Sequence, residues 1–260
     1  MLPSAFRSPG ATAPAAAPTP HTFRWTLLAL ALLLAWDASG LDLPLAYWFG
    51  TPAGFPLRDN WFLVKVVHAG GRDLSWLALA LLLVGIRWPL GPLRRLGLAQ
   101  RVQLAASVVL GVGVVSILKN TSHSSCPWDL AAFGGVAHHV SHWAWGVYDG
   151  GPGRCFPGGH ASAAFAWLGG YFVLRPTAPR AARGWLAAVL ALGLVFGWGQ
   201  QMRGAHYLSH NLWTAWICWS IGWAVDAAVR RVLARRAARA QGAVGTVGTV
   251  GGVGANLNEG

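Results

Sequence analysis

The chain has 260 residues, 54% of them hydrophobic and 11% charged, with a net charge of +12 and 16 tryptophans. A soluble domain carries about 25% charged residues, so the composition excludes an ordinary water-soluble globule and points to a bilayer, where Trp gathers at the interfaces. The arginines fall between apolar segments and form no continuous basic face, which argues against nucleic acid as a partner and for topology signals.

In chain order, residues 1–22 are rich in Ala and Pro and are expected to be a disordered tail. Apolar stretches follow at 26–36, 74–88, 102–118, 161–174, 185–198 and 212–229. Several are shorter than the roughly 20 residues that cross a bilayer, and flanking Gly, Ser and Thr extend them. The expected fold is all-α: a polytopic bundle of about six transmembrane helices over residues 23–232. Residues 43–49 are too short to span and read as an interfacial segment. No A-x-A site follows the first stretch, so an uncleaved anchor is expected rather than a signal peptide. Residues 233–260 are basic, then Gly/Val-rich with a GTV repeat, and are expected to be a disordered tail.

The basic residues test this topology. With both termini cytoplasmic, one side holds Arg24, then Arg87, Arg94, Arg95 and Arg101, then Arg175, Arg180 and Arg183, and finally the arginines of 230–239. The other side keeps Arg58, Lys65, Arg72, Lys119, Arg154 and Arg203, with most of the acidic residues. The asymmetry supports an even number of spans. A bacterial inner membrane, with the polar segments on the periplasmic face, is the expected location.

Two outer segments carry ionisable groups at membrane helix ends, where such groups mark function. Residues 119–160 contain Lys119, His123, Cys126, Asp129, His138, His139, His142, Asp149, Arg154 and His160; residues 200–210 contain Arg203, His206 and His210. Lys119, Arg154 and Arg203 suit an anion, the arginines by a fork that binds two oxygens. Gly158 and Gly159 precede an apolar helix whose N-terminus is itself an anion site. Histidines on different helices can act as nucleophile and general acid. The plainer readings are solvated histidines at 138, 139 and 142, a snorkelling Lys119 and glycines used for close helix packing. The joint occurrence of all these features on one side favours function.

Cys126 and Cys155 lie beside these groups in a compartment that permits disulfides, and are expected to pair; two free thiols are the alternative. Cys218 sits in an apolar run. No H-E-x-x-H or comparable spacing occurs, so no metal site and no cofactor are expected.

The polar segments resemble the type 2 phosphatidic acid phosphatase family, whose fold is shared with vanadium haloperoxidases. The family's first motif, Lys-x6-Arg-Pro, matches Lys119 through Pro127 with Cys126 at the arginine position. Its second, Pro-Ser-Gly-His, matches Pro157-Gly158-Gly159-His160. Its third, Ser-Arg-x5-His-x3-Asp, matches residues 200–210, with Gln200 at the arginine, His206 kept and His210 at the aspartate. The resemblance implies a membrane phosphatase acting on a lipid-linked phosphate monoester or diphosphate. His206 would attack phosphorus, His160 would protonate the leaving oxygen and His210 would orient His206. Lys119, Gly158 and Gly159 would hold phosphate oxygens, with Arg203 and Arg154 replacing the lost arginines. The same chemistry allows a lipid phosphoryl- or phosphoethanolamine-transferase, and the substitutions allow a non-catalytic membrane protein. The lipid and the oligomeric state are not readable from the sequence.

Overall fold

The structure, a computed structural model, describes residues 20–251, with side chains over 21–241. The tail expected over 1–22 therefore falls almost wholly outside the described residues. Helices and no strands occur among the described residues. They are α1 (Pro20–Ser39), α2 (Asp42–Ala46), a π-helical segment (Phe62–Gly70) running directly into α3 (Gly71–Arg87), α4 (Leu98–Thr121), α5 (Ser162–Phe165), α6 (Gly169–Leu174), α7 (Pro179–Met202) and α8 (Leu208–Gly251). Short 3-10 turns lie between them. Gln100 folds back to accept the Gly97 N–H at 2.9 Å where α4 begins. Pro179 occupies the first turn of α7, where its missing N–H costs nothing.

Four helices are long and apolar enough to cross a membrane: Phe62–Arg95, Leu98–Thr121, Pro179–Met202 and Leu208–Gln241. The expected six is therefore not reached among the described residues. Helix α1 carries Arg24 and Asp37, which dilute its apolar run. The stretch Ser162–Leu174 is too short to cross alone. The segment expected at the interface forms the short helix α2. The tail expected from 233 onward continues α8 as far as Gly251, and its remainder lies outside the described residues.

The bundle packs around residues 161–173. Ala161, Phe165, Ala166, Leu168 and Val173 are buried against Leu79 and Leu82 of α3, Leu104, Val108 and Val115 of α4, Val189 of α7 and Cys218 of α8. Leu77, Leu81, Val84, Leu110, Ile117, Leu192 and Leu194 remain exposed on the outward faces, as lipid contact requires. Small residues let the helices close up: a Cβ on Gly193 would stand 2.1 Å from the Phe165 ring, and one on Gly222 would meet the Gly169 backbone at 2.9 Å.

At one end of the bundle a buried carboxylate is paired with arginines. Asp226 of α8 accepts the Gln103 amide at 3.1 Å, Arg175 at 3.1 Å and Arg230 at 2.7 Å. Gln103 and Lys119 lie 16 residues apart on α4, roughly 24 Å at 1.5 Å per residue. His210 and Asp226 are equally separated on α8. The ion network and the polar histidine cluster therefore occupy opposite ends of the bundle.

Candidate active site

Lys119 stands in the last turn of α4, which stops at Thr121 as Ser122 turns extended. The loop that follows is pinned from within. Buried Asp149 accepts the Ser125 N–H at 2.6 Å, the Ser125 hydroxyl at 2.9 Å and the Gly151 N–H at 3.0 Å. The Arg154 and Cys155 N–H groups donate to the Ser122 and Ser124 carbonyls at 2.8 and 2.9 Å. Beside these bonds Cys126 and Cys155 form the expected disulfide, with their Cα atoms 5.2 Å apart. The first and second motif segments are thereby fixed to each other.

The third segment arrives on the turn between α7 and α8. Gly204 takes φ +73°, and a Cβ there would press 2.4 Å from the Phe55 ring, so only glycine makes this turn. The Trp128 N–H donates to the Gly204 carbonyl at 3.0 Å, joining the turn to the long loop. His206 follows, buried, with Nδ1 facing Cys155 Sγ at 3.4 Å.

His160 stands just before α5, and its ring stacks on that of His68 with 3.4 Å between centroids and 19° between planes. His68 comes from the π-helical segment. A cavity of about 340 Å³ opens beside this stack. Its polar end is formed by Arg72, Ser116, Lys119, Asn120, Gly159 and His160, and its apolar end by Trp76, Leu79, Val108 and Val112. A Cβ on Gly159 would meet the Lys119 side chain at 3.0 Å, so the glycine lets the lysine approach.

The electrostatics describe one site. Burial pushes His160 down to about 3, helped by the nearby charges of His68, Arg72, Arg203 and Lys119. Burial also drives His206 well below its ordinary value, with Lys119 and His160 adding to the effect. Both imidazoles are neutral at neutral pH. His206 does not line the cavity; it sits buried within reach of the Lys119 and His160 charges.

Lys119, His160 and His206 thus come together. Gly159 joins them, its N–H without an acceptor among the described residues, but the Gly158 N–H already donates to the His210 carbonyl at 3.0 Å. His210 makes no hydrogen bond to His206: the ring centroids are 5.9 Å apart and His210 Nδ1 has no partner among the described residues. The reason is that Phe156, Tyr207 and His142 enclose the His210 ring. Arg154 is exposed outside the cavity, and its carbonyl accepts the Lys119 ammonium. Arg203 spends Nε on the Arg58 carbonyl at 2.8 Å and Nη1 on Gln200 at 3.1 Å, yet its charge still reaches His68 and His160. Cys126, Cys155 and His206 place donor atoms within 4.8 Å of one another, and both sulfurs are spent in the disulfide.

Sequence reasoning passed over His68 and Arg72, which the structure places against the His160 ring and in the cavity lining, respectively. Their signal is their four-residue spacing, which puts them on one helix face, just before an apolar stretch.

Among known proteins, neither the curated sequences nor the solved structures give a match. The family model described as the PAP2 superfamily matches residues 100–233, a region that holds all three motif segments and the helices that carry them. The chain belongs to the PAP2 superfamily.

Proposed function

We propose that this membrane protein is a lipid phosphatase that hydrolyses a lipid-linked phosphate monoester or diphosphate through a phosphohistidine. Its family consists of phosphatases, which supports the general hydrolase role. The observation that carries the reading is the gathering of Lys119, His160 and the buried neutral His206 beside one cavity with a polar and an apolar end. Such a cavity suits a phosphorylated headgroup with the start of an apolar chain.

In the proposed reaction His206 attacks phosphorus as a neutral imidazole. Because Nδ1 faces Cys155, the attacking atom is Nε2. The bond from phosphorus to the lipid oxygen breaks, and His160 gives that oxygen a proton. Water then attacks the phosphohistidine while giving a proton to His160; the phosphorus–nitrogen bond breaks, inorganic phosphate leaves, and both His206 and protonated His160 are restored. Lys119, the Gly159 N–H and the free side of Arg203 hold the equatorial oxygens. His210 and Gly158 act on the backbone that carries the site, and Arg154 acts through its carbonyl on Lys119.

The phosphatase-like domain is proposed to cover residues 23–232 in a bacterial inner membrane, with both termini cytoplasmic and the site facing the periplasm. Phosphate release from a panel of lipid phosphates, with purified protein and His206→Ala, tests the activity. Release by wild type that vanishes in the variant supports it; equal release by both, or none by either, rejects it.

A further inference from the structure

We infer that His68 and Arg72 complete the anion site, Arg72 supplying the guanidinium that the motif positions now held by Cys126 and Gln200 no longer provide. The helix running from Phe62–Gly70 into Gly71–Arg87 thereby becomes a fourth substrate-binding segment, N-terminal to the region matched by the family model. The ligand class is a tetrahedral oxyanion, a phosphoryl group. The inference rests on the phosphatase reading for its place in catalysis, but not for the binding itself.

Three observations carry it. Arg72 lines the same cavity as Lys119, Gly159 and His160. The other guanidiniums are less free: Arg203 has two nitrogens committed to protein oxygens, and Arg154 lies outside the cavity. Arg72 itself pairs with adjacent Asp73 at 2.9 Å, with side chains 50% and 65% exposed. A pair so exposed is weak, and a phosphate offering two oxygens to the guanidinium fork displaces it.

His68 is the second member. Its ring lies 3.4 Å from that of His160, so the proton of one is felt by the other. Parallel imidazoles at this distance repel when both are charged, and an anion at their edges removes the repulsion. The π-helical backbone at Phe62–Gly70 agrees with this placement, since such distortions concentrate at functional sites. An arginine ten residues inside a helix long and apolar enough to cross a membrane is costly there, and such a group marks function.

The test is binding of inorganic phosphate to the full chain in detergent, by calorimetry or phosphorus NMR. Arg72→Ala is expected to weaken binding at least about tenfold, as loss of a bidentate charged contact requires. Arg72→Lys restores part of the affinity, since it keeps charge without the fork, and guards against a folding artefact. His68→Ala weakens binding by roughly threefold or more, the scale of one lost hydrogen bond. Asp73→Ala, which only frees Arg72, leaves binding equal or tighter. Arg72→Ala binding like wild type, or a wild-type protein that binds no phosphate, overturns the inference. Phosphate binding through Arg72 without turnover of any lipid phosphate rejects the phosphatase reading alone, whereas turnover undiminished in Arg72→Ala rejects this inference alone.

Discussion

His206 Nδ1 lies 3.4 Å from Cys155 Sγ, so a disulfide rests against the imidazole proposed to attack phosphorus. The sulfur that touches it lies two residues before the second motif, and its partner Cys126 occupies the arginine position of the first. Where the family's first motif carries an arginine, this chain carries one half of a covalent brace. The brace covers the Nδ1 side of His206 and, in the proposed reaction, leaves Nε2 to attack.

Breaking that brace should cost both stability and activity. The bond closes a loop with a sequence separation of 29, for which the chain-entropy model gives about 3–4 kcal/mol. Cys126→Ser with Cys155→Ser, or treatment with a thiol reductant, is expected to lower the melting temperature in detergent. Phosphate release should fall with it, because His206 loses the surface that orients it. A thermal melt beside an activity assay, with and without reductant, checks this.

Acidification should raise turnover while lowering stability. His160 must be protonated to serve as general acid, and its value is pushed down to about 3, so its protonated fraction grows throughout a fall from neutral pH. His206, held well below its ordinary value, stays neutral over most of that range and remains a nucleophile. The kcat/KM is expected to rise as pH falls from about 8 to about 5. Stability runs the other way. Both imidazoles bind protons more weakly folded than unfolded, so the unfolded chain takes up more protons below its ordinary histidine range. Each such group removes up to about 1.4 kcal/mol per pH unit. Paired rate and melting profiles across this range measure both signs.

Asp37 offers a third test, away from the cavity. One of its oxygens accepts Trp213 Nε1 at 2.8 Å and Trp143 Nε1 at 3.0 Å, and meets His142 Nε2 at 3.3 Å. It ties α1 to the long loop and to α8. Asp37→Ala leaves these donors without their acceptor and should cost about 3 kcal/mol or more. Burial lowers His142 while the Asp37 carboxylate opposes that shift. The variant should therefore move His142 further down, as a histidine NMR titration reads directly.

Much of the candidate site's geometry was legible because its segments carry chemistry at fixed spacing. Lys119, His160 and His206 stand out as polar groups at the ends of apolar runs, and the two loop cysteines announce their pairing. The number of spans was less legible. Residues 161–174 are as apolar as a span because they are the buried centre of the bundle, and periodicity does not separate those cases. Helix α1 reads as a span by its leucines, although Arg24 and Asp37 interrupt it. His68 and Arg72 escaped because their four-residue spacing before an apolar stretch equally fits residues that set topology; only the stack of His68 on His160 and the place of Arg72 in the cavity single them out. The commitment of the Gly158 N–H to His210 is likewise a tertiary contact with no trace in the motif. The helix beyond residue 233 follows from local composition, since Ala, Leu and Arg are strong helix formers.

Gly204 should tolerate no side chain. It combines φ +73° with a Cβ position 2.4 Å from the Phe55 ring. Gly204→Ala is expected to cost about 1–3 kcal/mol from strain and overpacking. It should also depress phosphate release beyond its effect on stability, since His206 lies two residues downstream. Activity measured well below the melting temperature of the variant separates the two effects.

The central claim is a covalent intermediate on His206. Rapid quenching of the enzyme with a phosphorus-labelled lipid phosphate should trap label on the protein that is stable to alkali and labile to acid. Peptide mapping should place it on His206, and His206→Ala should carry none. Turnover with no trapped phosphohistidine, or label that persists unchanged in His206→Ala, would contradict the account.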